Sequence, residues 1–482
     1  MSTWEASGKD SVPGLSWSRW ARNGCFWLLV ALLVWAPFPL GSNREWSWGL
    51  LSLATGICWF LWAMGALDNL FVRLANLKRL AIPAVLVSTV LIWATVQVSP
   101  IVPSSWAHPL WQETATLLGR PISGTISLSP WKTIIEIIKL STYVCTTWIV
   151  FSLSRNTGRA KRFFDVIIAI GAIYALYAVA LGLLGTQQYN VFYSPALKPL
   201  NLSGPFVLHN SFATFEGLVS LCALTRLIER ASTRIIASKG VRRWGFTTVA
   251  YIFGAGAPIV IAAIVTVSAL VATASRAGVF STLCALIVMA ILVALRLKRS
   301  ANWRWSIVGA ASLLTLLIGL FWISGDTLGT RISDLINAGN ADEIRFALWM
   351  AAQRMIASSP WLGLGLGTFQ DAYPMYATQI FPFIMDKAHS DFLEFAAGIG
   401  LPAAVCWWSA LLWSAIQMGR GFFGRRKNRI YPLVGLGATI LVAVHSSVDF
   451  SLQIPAVAML YAAILGIGLA QSYATEKPVE PI

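Results

Sequence analysis

Apolar side chains in this chain run on for about 20 residues at a time, which is what a helix needs to cross the hydrocarbon core of a bilayer. Twelve such stretches lie near 25–41, 46–66, 80–99, 131–153, 163–184, 206–228, 249–272, 277–295, 305–323, 390–416, 431–449 and 455–472. Composition agrees: of 482 residues, 57% are hydrophobic and 12% charged. An ordinary globular chain carries about 25% charged residues. A disordered chain, a secreted disulfide scaffold and a cytosolic enzyme are excluded. The six cysteines (Cys25, Cys58, Cys145, Cys222, Cys284 and Cys406) sit inside apolar stretches with no C-x-x-C spacing. They read as small buried hydrophobes. The expected fold is an all-α polytopic membrane protein.

The net charge of +16 has two readings, nucleic-acid binding or loop topology. With the N-terminus placed inside, 26 of the 36 Lys and Arg fall on the cytoplasmic side, for example at 155–162, 226–243, 296–304 and 420–429. The bias returns at every alternate loop, as the positive-inside rule requires. Topology accounts for the charge, and nucleic acid is dropped as a partner. The organisation that follows is a cytoplasmic tail over 1–24, spans one to nine over 25–323, and an outward loop over 324–389. Spans ten to twelve cover 390–472, and a second cytoplasmic tail covers 473–482. The first apolar run opens into Pro37 and Pro39 with no small-x-small site, so it reads as a span and not as a cleaved leader. The 324–389 loop is too long for a plain connection. Within it, Glu343–Ala357 has apolar residues at helical spacing with Arg345 and Arg354 interleaved. That predicts an amphipathic helix at the outer membrane surface.

Polar residues that oppose this pattern are the candidates for chemistry. Arg276, in Thr-Ala-Ser-Arg-Ala-Gly, occupies a short outward turn against the charge bias. It either snorkels to the interface or grips phosphate oxygens with its guanidinium fork. His389 stands where the long loop enters span ten, in Asp386-Lys387-Ala388-His389-Ser390-Asp391-Phe392-Leu393-Glu394. An imidazole there can take a proton from an attacking hydroxyl, whereas Ser390 or Asp391 fits a helix cap. His209-Asn210 open span six, with Glu216 deeper in; such clusters also serve interhelical bonding. His445 and Asp449, four apart in span eleven, fit interhelical bonding as well. The four histidines (108, 209, 389, 445) lack zinc spacing, so no metal or cofactor is assigned. Asp342-Glu343 could hold a divalent cation on a diphosphate, but one adjacent pair is weak evidence. Gly363-x-Gly365-x-Gly367 follows no strand and reads as a tight turn, not a dinucleotide loop.

Together these segments resemble the O-antigen ligase and polymerase superfamily, bacterial enzymes that move lipid-linked glycans at the outer face of the inner membrane. The matching pieces begin with Pro37-x-Pro39-x-Gly41-Ser42-Asn43-Arg44 and Gly204-x-Phe206…Asn210-x-Phe212-Ala213. They continue with Ser275-Arg276-Ala277-Gly278, Arg345…Met355-Ile356…Pro360-x-x-Gly363 and Lys387-Ala388-His389-Ser390-Asp391-x-Leu393-Glu394. They end at Gly400-Leu401-Pro402 and His445-Ser446…Asp449-Phe450-x-x-Gln453-Ile454-Pro455. The family often has Asn-Arg ahead of the span-six asparagine; here Leu208-His209 stand there, and His209 is a cation only when protonated. The resemblance implies about twelve transmembrane helices, with a large periplasmic loop holding short amphipathic helices between spans nine and ten.

It further implies transfer of an undecaprenyl-diphosphate-linked glycan to a glycan or lipid A core acceptor, with a chain-length regulator as a further partner of a polymerase. Arg276 and Arg345 would hold the diphosphate, with Lys387, His209 and Asn210 beside them. His389 would be the catalytic histidine, and Asp391 and Glu343 further acid–base candidates. The rival reading is a multi-pass transporter of an anion or small solute. Against it, no pair of Gly/Pro-broken spans occupies corresponding halves of the chain.

Overall fold

The computed structural model describes residues 16–66, 78–184, 201–235, 250–251, 253–297, 341–379, 381 and 384–474. Within them the chain forms helices α1 (Ser16–Trp35), α2 (Glu45–Met64), α3 (Ala81–Gln97), α4 (Pro109–Leu118), α5 (Pro130–Ser154), α6 (Thr157–Leu183) and α7 (His209–Ile235). These are followed by α8 (Ala257–Ala272), α9 (Arg276–Leu297), α10 (Ala341–Ser358), α11 (Phe369–Tyr376) and α12 (Asp391–Ile399). The last three are α13 (Leu401–Gly424), α14 (Ile430–Ser446) and α15 (Pro455–Ser472). No strand occurs among the described residues.

Seven of these helices are long and apolar enough to cross a membrane: α2, α5, α6, α7, α9, α13 and α15. Helices α3, α8 and α14 are apolar but shorter. The ninth stretch read from the sequence, 305–323, lies outside the described residues. The described residues are thus all-helical, and their apolar helices point to a multi-pass membrane protein. Several of the sequence boundaries shift, and two of these changes matter for the architecture. The first helix starts at Ser16, ahead of its apolar run, and Arg22 there donates to the Gly65 carbonyl at 3.0 Å. The tenth stretch is two helices, broken at Gly400, whose φ of +82° suits glycine alone.

Helix α15 forms the centre. Its sequence is apolar around the whole circumference, and such a helix belongs inside a bundle. Every residue from Pro455 to Gln471 is buried. It packs on α5 and α14, and at the α14 crossing the backbones meet where Gly435 faces Gly468. Small residues let membrane helices approach this closely. The outer helices turn large apolar residues outward: Leu53 and Phe60 on α2, Val85 and Ile92 on α3, Ile261 and Ile264 on α8, Leu412 on α13. Exposed apolar surface of that extent suits lipid.

Helices α10, α11 and α12 sit at one end of the bundle around a small core of their own, with Leu348, Met355, Phe369 and Ala397. Helix α10 covers the amphipathic segment expected at Glu343–Ala357.

Candidate active site

At that same end the turn between α14 and α15 places Asp449, buried to 2% exposure, at the meeting point of several elements. Its Oδ2 accepts from Asn210 Nδ2 at 2.5 Å, and its Oδ1 from the Phe450 amide at 2.8 Å. The Asn210 Oδ1 in turn accepts from Ser275 Oγ at 2.7 Å. The N-terminus of α7 and the turn before α9 are thereby tied to the α14–α15 turn. Burial pushes the Asp449 carboxyl up, but the contact with His389, the charge of His445 and the Phe450 amide more than offset it. The group lies below its ordinary range and is an anion at neutral pH.

His389 Nδ1 stands 3.4 Å from Asp449 Oδ1, an ion-pair distance somewhat beyond a full hydrogen bond. Unliganded sites often hold catalytic contacts this long. The surrounding structure fixes the residue in place. Its φ of +51° is left-handed, a conformation costly outside glycine that persists only where neighbours enforce it. Here the neighbours are on three sides. Trp349 Nε1 of α10 donates to the His389 carbonyl at 3.1 Å, Phe450 meets the ring edge-on at 4.9 Å, and Glu394 pins the preceding residues. Glu394 accepts from the Ala388 amide at 2.8 Å and lies 3.4 Å from Lys387 Nζ. Nδ1 is buried while the side chain keeps 30% exposure, so the open part of the ring is the side away from Asp449, which carries Nε2. A carboxylate at Nδ1 favours the tautomer in which Nε2 is the free base.

Asp391 is the first residue of α12. Ser390, and not Asp391, is the cap, accepting from the Leu393 amide at 3.4 Å. The Asp391 carboxylate accepts from Ser446 Oγ at 2.7 Å and Gln453 Nε2 at 3.1 Å, and its amide donates to the Asp449 carbonyl at 3.2 Å. Burial pushes its carboxyl up to about 7, against those hydrogen bonds.

Other residues singled out in the sequence are placed as follows. The His209 imidazole lies within electrostatic reach of the Thr273 backbone and of Asp449. Arg345 is within electrostatic reach of His209 and of the buried His445. Arg276 is the exposed first residue of α9, next to Ser275, whose Oγ also accepts from the Gly278 amide at 3.2 Å. A guanidinium at a helix N-terminus is a natural anion site. Lys387 is held by carboxylates: burial pulls its ammonium down, but Glu394, Glu136 and Asp386 keep it above the ordinary lysine value. Glu343 is exposed and lies two residues from Arg345, about 200° around the helix, so it is not brought to His389. Among the described residues, no three His, Cys, Asp or Glu side chains converge to hold a metal ion.

Asp449, Ser446, Gln453 and Trp349 drew no catalytic role from the sequence alone. Their partners are too far along the chain for spacing to show them.

Residues 261–408 match the family model described as O-antigen ligase. The match supports the O-antigen ligase and polymerase superfamily for this chain, and with it an O-antigen ligase-like, glycosyl-transferring function. The matched segment runs from α8 into α13 and contains Arg276, Glu343, Arg345, Lys387, His389 and Asp391. His209, Asn210 and Asp449 lie outside it, and folding brings them to it. No curated protein matches the chain.

Proposed function

We propose that the chain is an inner-membrane glycosyltransferase that takes a glycan from an undecaprenyl diphosphate at the periplasmic face and joins it to an acceptor hydroxyl. It acts as a ligase or as a surface-polysaccharide polymerase. The observation that carries this reading is His389 backed by the buried Asp449, with Arg276 and Arg345 at the same end of the bundle.

In this reading His389 Nε2 takes the proton from the acceptor hydroxyl. The oxygen forms a bond to the anomeric carbon as the bond from that carbon to the diphosphate oxygen breaks. Undecaprenyl diphosphate leaves as an anion, and Arg276 and Arg345 stabilise the charge that develops on it. Asp449 stays ionised and balances the imidazolium. His209 and Asn210 line the donor side, and Asp391 is the remaining acid–base group at this end of the bundle.

The test is glycan transfer by the full-length protein in proteoliposomes, with membranes of the source cell supplying the lipid-linked donor. His389→Ala is expected to lower turnover about 10²–10⁴-fold, the usual share of a general base. Asp449→Asn should lower it comparably, because it withdraws the anion behind the imidazole. Arg276→Ala should abolish transfer, and Arg276→Lys should restore little, since an ammonium lacks the bidentate fork. Full activity in the histidine and arginine variants, or solute flux with no transfer, would sink the proposal.

A further inference from the structure

On the side of α10 away from Arg345, an open groove of about 440 Å³ lies between this helix and the segment that follows α11. Its lining joins the apolar Phe346, Ala347 and Met350 to the polar Glu343, Arg354, Thr378 and Gln379. Phe346 keeps 63% of its surface exposed while the next two residues, Ala347 and Leu348, are buried. The walls are built and not loose. Arg354 Nη1 donates to the Tyr376 carbonyl at 3.3 Å, Ser358 Oγ and the Tyr376 hydroxyl are 2.9 Å apart, and the Tyr373 hydroxyl donates to the Gln379 carbonyl at 3.3 Å.

We propose that this groove is a saccharide subsite that holds the acceptor glycan; the proposal rests on the transferase reading above. A sugar ring has a face of C–H groups and a rim of hydroxyls. An aromatic face is electron-rich and receives the positive C–H edge. Glu343 offers an acceptor to the hydroxyls, Arg354 a donor, and Gln379 both. A lipid chain would satisfy Phe346 and Met350 but strip water from those three polar groups. The volume falls within the range of small-ligand pockets, about 300–1,000 Å³.

Position supplies the link to the reaction. Phe346 is three residues from Trp349, the indole that holds the His389 carbonyl at 3.1 Å. Three residues advance a helix by about 4.5 Å. On this proposal a glycan with its terminal hydroxyl at His389 runs past Trp349 and around α10, and its following sugars lie in the groove. The donor enters from the Arg276 side with its lipid in the bilayer, so the outward groove is left to the acceptor.

The experiment uses the full-length protein in detergent and saturation-transfer NMR with defined trisaccharides of hexose, N-acetylhexosamine and hexuronic acid. At least one of them should bind. Phe346→Ala should weaken that binding about tenfold, as truncating an aromatic anchor commonly does. Phe346→Trp should preserve it, and Arg276→Ala should leave it unchanged. Phe346 is exposed, so none of these outcomes depends on a folding defect. No binding by wild type, or equal binding by Phe346→Ala, overturns the proposal. Competitive displacement of the trisaccharide by undecaprenyl-diphosphate-linked N-acetylglucosamine would give the groove to the donor and also overturn it. If a trisaccharide binds through Phe346 yet no glycan is transferred, the transferase reading fails and the saccharide site remains. If transfer occurs and binding ignores Phe346, the groove fails alone.

Discussion

Asp391 and Asp449 are two carboxylates at one end of the bundle in opposite environments, a pairing that commonly separates acid–base roles. Asp449 is held ionised by its donors and by His389. Asp391, pushed up to about 7 by burial, is half protonated near neutrality. Its folded pKa lies above its unfolded value, so its contribution to stability is complete below the unfolded pKa and is lost as pH rises through about 7. The wild-type melting temperature should therefore decline between pH 5 and 8.5. Asp391→Asn keeps both hydrogen-bond positions, because the Ser446 hydroxyl and the Gln453 amide can reorient, and it removes the titration. Its melting temperature should fall less over that interval and exceed the wild-type value at pH 8.5. Identical profiles would show that the carboxylate is not strained by burial. The sequence marked Arg276 and His389 by their position against the apolar and charge pattern, and the family resemblance added Arg345 and Asp391. It left Asp449 as an interhelical residue, because a side chain 60 positions from its histidine partner carries no spacing signal.

Among the elements, the join between α12 and α13 decides where the site stands above the membrane. Read as one apolar run over 390–416, it looked like a single span with its polar residues at the tip. The chain instead turns at Gly400, whose N–H remains bonded to the Ala396 carbonyl at 3.0 Å while its φ of +82° redirects the backbone. The turn packs on Trp361, and a Cβ at Gly400 would lie 2.5 Å from the Trp361 carbonyl oxygen. Buried Gln97, at the end of α3, holds the same junction. It donates to the Leu362 carbonyl at 2.7 Å and the Gly398 carbonyl at 2.9 Å, and it accepts from the Leu366 amide at 3.3 Å. Gly400→Ala should cost about 1–3 kcal/mol from the backbone conformation alone, with the close contact added. Thermal unfolding in detergent should show the loss, and a variant as stable as wild type would mean that the turn adjusts freely. Hydropathy locates apolar helices well because lipid demands them. It is blind to a one-residue break whose cause is a left-handed φ and a distant glutamine.

Across the whole molecule, charge separates the two ends of the bundle. The end opposite the candidate site gathers Arg22, Arg155, Arg159, Arg226, Arg296 and Arg425, and several of these close helix C-termini. Arg155 reaches the Ala470 and Ala474 carbonyls, Arg296 the Phe422 carbonyl at 2.6 Å, and Arg425 the Tyr473 carbonyl at 2.5 Å. The last carbonyls of a helix lack intrahelical partners, so a cation there satisfies them as well as obeying the charge rule. The alternation of basic loops was legible in the sequence; the capping was not, since it joins residues more than 40 positions apart. If that basic end is cytoplasmic, a single reporter experiment has a definite answer. A phosphatase active only outside the cytoplasm, fused in the loop at Lys427 between α13 and α14, should be silent. The same enzyme fused at Gly119, at the exposed end of α4, should be active. The signals should not depend on catalysis and should persist in His389→Ala. Activity at Lys427 with silence at Gly119 would invert the molecule. His389 and the arginines would then face the cytoplasm, where a periplasmic transfer reaction has no place.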